Sequence, residues 1–239
     1  MKNQNGFVTV FLLATLPVIV GLIAAVTVMT SSLNLDQQLK KTCREELIRS
    51  QENSAKSLDR LFNLNPMALK LRFQKHAAQI ALAAAVASLN QVAIAKYTKE
   101  LLKIERARQR LHRIQQTILQ RQNIANHMGL NRVQIALAAS LAATVHGNFF
   151  TEHIQFTGRK HVGLAVEPDQ PDTAPIYELQ NPFEEKQTLS IFWKWKVQGI
   201  QPVLKKLSLQ FQRECSVTLI QRNHKWQPLL RRDKLLLRD

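Results

Sequence analysis

Phe7-Val8-Thr9-Val10-Phe11-Leu12-Leu13-Ala14-Thr15-Leu16-Pro17-Val18-Ile19-Val20-Gly21-Leu22-Ile23-Ala24-Ala25-Val26-Thr27-Val28-Met29 is an unbroken apolar run, and its reading sets the rest of the chain. No charged residue falls between Lys2 and Asp36. As a helix the run is roughly 34 Å long, against a bilayer hydrocarbon core of about 30 Å. Residues 1–6 form a short polar leader-like segment ahead of a transmembrane helix expected over 7–30. Pro17 sits in the middle and is expected to kink that helix, which a membrane span tolerates better than a soluble helix does.

Three readings fit this segment. A cleaved secretory signal finds small residues for an exit site in Ala24-Ala25-Val26-Thr27 and Thr30-Ser31-Ser32, but its apolar part is normally shorter and its start more basic than one Lys2. A plain uncleaved anchor fits the length. The third reading rests on Gly6-Phe7-Val8-Thr9-Val10-Phe11 followed by Leu16-Pro17-Val18. This pattern resembles the amino-terminal segment of type IV pilin-like proteins, in particular the TadE/TadG-like proteins of tight-adherence (Flp-type) pilus assembly.

The resemblance covers about thirty of 239 residues. It implies leader-peptidase cleavage between Gly6 and Phe7, a membrane helix that runs on into the soluble domain, and a domain outside the cytoplasmic membrane of a bacterium. Prepilins of the type IV class carry Glu five residues after the cleaved Gly, whereas this chain has Phe11 there. Lys40, Lys41 and Arg44 follow the apolar run closely and, by the positive-inside bias, pull toward a cytoplasmic domain. The implied topology is the opposite one, single-pass in the inner membrane with the carboxyl-terminal domain periplasmic.

Thirty-three basic residues against 17 acidic ones give a net charge of +16, none of it within the apolar run. Such a domain is attracted to anionic partners: nucleic acid, envelope polysaccharide, lipid headgroups or an acidic protein. The densest cationic stretch is Lys96, Lys99, Lys103, Arg106, Arg108, Arg110, Arg113 and Arg121. Tyr97, Ile104, Leu111 and Ile118 recur through it every seven residues, so it reads as an amphipathic helix with a solvated basic face. Lys103, Arg106, Arg108, Arg110 and Arg113 are the candidate polyanion or partner contacts. The intervening Arg108 and Gln115 are polar, so a two-stranded coiled coil is weakly specified.

The helical region is expected over 31–147, with helices at about 33–64, 66–128 and 131–147. Asn65-Pro66 opens the second of these, since proline suits a first helical turn. No further Pro or Gly intervenes before Gly129, which reads as the stop. A stretch of 66–128 would be roughly 90 Å as one helix, so a bend or hairpin is expected within it. Gln79 to Ala87 is echoed by Gln134 to Ala142, two alanine-rich segments suited to close helix packing.

After Gly147 the pattern changes to a mainly β region, 148–239, with a basic tail at Arg231-Arg232-Asp233-Lys234. Period-two alternation places strands at 162–166, 176–179, 188–197, 207–211 and 217–221. Leu189, Ile191, Trp193 and Trp195 share one strand face. Two readings remain for the tryptophans, core packing or an aromatic platform with Lys194. The expected fold class is α+β: a transmembrane helix continuing into long helices, then a small antiparallel sheet.

Two cysteines, Cys43 and Cys215, are either a disulfide formed in an oxidising compartment or two free thiols. Neither their spacing nor that of the seven histidines matches a metal or redox motif. No glycine-rich phosphate loop or nucleophile elbow occurs. The expectation is a non-enzyme without cofactor or metal. Two functions from different classes follow. One is a structural or accessory subunit of a pilus or secretion-type envelope machine, with other pilin-like or assembly proteins as partners in an oligomer. The other is a membrane-tethered polyanion-binding protein, for example one that captures DNA.

Overall fold

The computed structural model describes residues 4–142, 150–160, 163–199, 208–223 and 225–231. The fold is α+β: three helices span residues 4–142 and a small antiparallel sheet packs on them. Helix α1 spans Gln4–Phe62, α2 Asn65–Ala87 and α3 Gln91–Ala142; after them come β1 Phe150–Lys160, β2 Val166–Pro168, β3 Tyr177–Leu179, the single turn α4 Phe183–Lys186, β4 Leu189–Gly199, β5 Ser208–Arg222 and β6 Lys225–Leu230. Residues 143–149, 200–207 and the basic tail 232–239 lie outside the described residues.

The three helices form one antiparallel hairpin. Ser50 faces Gly129, Ser54 bonds Asn126, Ser57 bonds Gln122, and Lys75 pairs with Glu105. These pairs keep a single register on both sides of the Asn63-Leu64 break. Pro66 removes a backbone donor there, but Leu64 keeps helical angles (φ −87°, ψ −16°) and its carbonyl still accepts from Ala68. The chain therefore runs on in the same direction, and α3, about 78 Å long, splints α1 and α2 together. The hairpin closes at Ser88-Leu89-Asn90, where Leu89 takes φ 52°.

Two helix limits differ from the expectation. The helix expected over 66–128 is split by the turn at 88–90, with no Gly or Pro to announce it. Gly129 is not a stop, because α3 passes through it to Ala142. A Cβ on Gly129 would lie 2.5 Å from Ser50 Oγ and 3.0 Å from Ser50 Cβ, so the glycine lets α1 and α3 cross closely. The two alanine-rich echoes do not pack on each other: one ends α2 beside the hairpin turn, the other ends α3 beside Leu35 and Leu39.

The four-stranded sheet has the order β1-β4-β5-β6, every neighbour antiparallel. β2 and β3 pair separately within the β1–β4 connection. The two strands expected at 207–211 and 217–221 are one continuous β5, and the strand expected at 162–166 begins only at Val166. β1 and β6 are the sheet's edges and were not expected. Pro228 in β6 obscures that strand in the sequence, and an edge is where a strand tolerates proline.

The core lies between helices and sheet. Leu35, Leu39, Cys43 and Leu47 of α1 and Leu130, Val133 and Leu137 of α3 meet Leu189, Ile191, Trp193 and Trp195 of β4, all essentially inaccessible to solvent. The two tryptophans are therefore core residues and form no platform with Lys194. A second cluster joins Ala55, Leu58 and Leu61 to Tyr177 and Leu219, and a third joins Ala68 and Leu71 to Leu111 and Ala174. Beyond these the far end of the hairpin is bare, with Ile80, Val86, Leu89 and Val92 exposed.

Candidate functional site

Residues 12–30 of α1 offer an apolar surface unlike any other among the described residues. Leu12, Leu13, Leu16, Val18, Ile19, Val20, Leu22, Ile23, Val26 and Met29 are all more than half exposed, on every side of the helix. Three and six residues past Met29, Ser32 and Leu35 are buried. One continuous helix thus passes directly from an uncovered apolar segment into the protein core. Its length and composition are those of a helix able to cross a membrane.

Three threonines in that segment are satisfied within the helix. Thr15 Oγ1 donates to the Leu12 carbonyl, Thr27 to Ile23, and Thr30 to Val26 and Thr27. Hydroxyls bonded to their own helix can enter hydrocarbon without leaving a donor unpaired. Pro17 lies inside the helix, which is not broken there, and Gly6 and Phe7 belong to its first turns.

Just past the apolar segment the helix is fastened to the sheet by charge and by a covalent bond. Asp36, 4 % exposed, accepts hydrogen bonds from Arg213 Nε at 2.8 Å and Trp195 Nε1 at 3.2 Å, and Lys40 Nζ lies 3.2 Å away. Burial alone raises the Asp36 pKa, but the bonds from Arg213 and Trp195 and the charges of Arg213 and Lys40 outweigh it, so the carboxyl is held below its ordinary value. Two turns on, Cys43 and Cys215 are joined as a disulfide linking α1 to β5. Gln51 Nε2 donates to the carbonyls of Gln187 (2.6 Å) and Val217 (3.0 Å) and ties α1 to the sheet a third time.

Arg108 departs from its expected role. It is 1 % exposed, not part of the basic face, and its guanidinium bonds Asp172, the Thr173 carbonyl and Glu105. Arg72 grips Asp169 with two bonds of 2.6 and 3.0 Å. The bond to Arg72 holds Asp169 below its ordinary pKa, and the bond to Arg108 does the same for Asp172. Together with Asn65, whose side chain bonds both backbone groups of Tyr177, they clamp the Pro168–Tyr177 loop across α2 and α3. A shallow open hollow of about 360 Å³ beside the clamp is lined by His112, Gln116, Asp172 and Tyr177. Asp172 is already bonded to Arg108, and the Tyr177 hydroxyl to Gln116.

The four other candidate contacts do come together. Lys103, Arg106, Arg110 and Arg113 are exposed on the side of α3 opposite its buried Arg108, Leu111, Gln115 and Gln122. Lys96, Lys99 and Arg121 continue the same face. Arg108, Gln115, Gln122 and Gly129, at heptad spacing, are all on the buried side of α3, the first two bonded to the Pro168–Tyr177 loop and the last two facing α1, so the polar residues at these positions line internal interfaces. Sequence reasoning missed Asp36, Arg213, Gln51 and the clamp, since each is a lone polar residue whose partner lies on a different element of the fold.

Among the described residues no group of three or more His, Cys, Asp or Glu side chains is placed to hold a metal ion. No family model, curated protein or solved structure matches the chain.

Proposed function

We propose that this chain is a membrane-anchored, pilin-like structural or accessory subunit of a bacterial pilus or secretion-type envelope machine, acting by protein assembly and not by catalysis. The observation that carries the reading is α1 itself: one 59-residue helix that is apolar and uncovered from Leu12 to Met29 and whose second half is the spine of an α+β domain. An anchor tethered by a flexible linker would transmit no orientation, whereas a continuous helix fixes the domain relative to the bilayer. The Gly6-Phe7 and Leu16-Pro17-Val18 pattern supports the same reading, as does the Cys43–Cys215 disulfide, which forms and persists in an oxidising compartment. The corresponding location is the inner membrane, single-pass, with the domain on the periplasmic side.

The test is intact mass and extraction of the protein from native membranes. The reading expects resistance to alkaline carbonate, a disulfide in unreduced material, and co-purification with other assembly proteins that survives raised salt. A mass that lacks residues 1–6 adds prepilin-type processing. Release by carbonate, or two thiols free to alkylation without reductant, sinks the proposal.

A further inference from the structure

The outer face of α3 between residues 96 and 121 carries seven exposed cations: Lys96, Lys99, Lys103, Arg106, Arg110, Arg113 and Arg121. They recur at helical spacings of three, four, three, four and three residues from Lys96 to Arg113, which keeps them on a single ridge. The ridge is roughly 38 Å long. Among the described residues none of the seven forms an ion pair; the charges that the fold uses on this stretch, Arg108 and Glu105, are turned to the clamp. Glu100 is the one exposed carboxylate on the stretch; seven cations against it on a splinted helix repel one another, and an extended anion relieves that repulsion.

We propose that this ridge binds the phosphate backbone of a double-stranded nucleic acid, without sequence preference. Four of the seven cations are arginine, whose planar fork bonds phosphate oxygens in pairs. No aromatic side chain lies on the ridge to stack an unpaired base, as single-strand binding surfaces require; Tyr97 is half-buried under Lys96. The choice of nucleic acid over lipid rests on the anchoring reading above. α3 is antiparallel to α1, so for a chain held by residues 7–30 the ridge runs along the direction in which α1 leaves the bilayer. Its near end, Arg121, lies beside Gln122, which faces Ser57 of α1, roughly 40 Å past the apolar segment. That is several times the screening length of about 8 Å at physiological salt. The headgroups of the same bilayer are out of reach.

The experiment is fluorescence anisotropy of a labelled 30-base-pair duplex of mixed sequence, titrated with the full chain in neutral detergent across a salt series. Counter-ion release predicts a log–log salt slope of about −4.5 to −6.3 for five to seven phosphate contacts. Arg106→Gln/Arg110→Gln/Arg113→Gln reduces that slope by about 3 and weakens binding at low salt at least tenfold. Lys56→Gln/Arg60→Gln/Lys70→Gln removes the same charge from exposed positions of α1 and α2 and leaves both unchanged. Both triple variants change only exposed side chains, and circular dichroism verifies that each is folded. Equal binding by the ridge variant and the parent overturns the proposal. So does tighter binding of a single strand, a polyuronate or anionic vesicles than of the duplex at equal salt. Failure here leaves carbonate extraction unaffected, so the two readings fall separately.

Discussion

At the scale of single residues, the contacts that decide stability are those where two elements approach too closely for any other choice. Gly129→Ala gains about 1 kcal/mol of helix propensity, but its Cβ meets Ser50 at 3.0 Å or less. Overpacking of this kind costs about 1–3 kcal/mol, so the variant is expected to be less stable by about 1 kcal/mol in urea unfolding. Adding Ser50→Ala removes the 2.5 Å contact and keeps the 3.0 Å one, giving partial recovery. Asp36 supplies the second residue-scale prediction. Its folded pKa is depressed, as are those of Asp169 and Asp172, so the stability they contribute is full above the unfolded carboxylate value of about 4 and is lost as pH falls below it. Asp36→Asn leaves Arg213 largely buried without its anion and is expected to cost about 3 kcal/mol at neutral pH. The same variant flattens the acid limb of a stability-versus-pH curve. An acid limb as steep as the parent's would assign the loss to other carboxylates.

At the scale of elements, the turn between α2 and α3 is held by a leucine in left-handed conformation with its side chain 84 % exposed. A residue with a Cβ pays about 1–2 kcal/mol there, and glycine's extra unfolded entropy returns about half of that. Leu89→Gly is therefore expected to raise stability by about 0.5–1 kcal/mol, seen as a higher melting temperature, while Leu89→Ala gives no such gain. That turn also shows what the sequence did and did not contain. The apolar run, the α+β order and the buried face of Leu189, Ile191, Trp193 and Trp195 are legible because each is a local periodic pattern. The turn at Leu89 is not, because no breaker residue marks it and the hairpin is set by packing between segments far apart in sequence. Gly129 misleads for the same reason: as punctuation it ends a helix, but here its missing side chain makes room for Ser50. The basic face was legible as a face. Arg108 was wrongly counted on it, because charge argues for solvent until Asp172 and Glu105 are placed beside it.

At the scale of the whole molecule, three fastenings hold the base of the hairpin to the sheet: the Asp36–Arg213 pair, the Cys43–Cys215 bond and the Gln51 bonds. The disulfide closes a sequence separation of 172. On the chain-entropy model such a loop contributes about 5 kcal/mol. Cys43→Ala/Cys215→Ala, or reductant added to the parent, is expected to lower the melting temperature markedly, and reductant is expected to have no effect on the double variant. If the oxidised parent and the variant melt together, the bond is not carrying stability.

The same bond also decides how a pull travels. Tension applied between the apolar end of α1 and the chain beyond β6 passes along α1 to Cys43, crosses to Cys215 and leaves through the sheet. The distal hairpin, the clamp and most of β4 sit off that line and bear no load. Residues 44–214 would extend to roughly 600 Å if drawn straight, and the single cross-link keeps that slack out of the path. An oxidised subunit behaves under traction as a short tie, and a reduced one as a long, yielding cord.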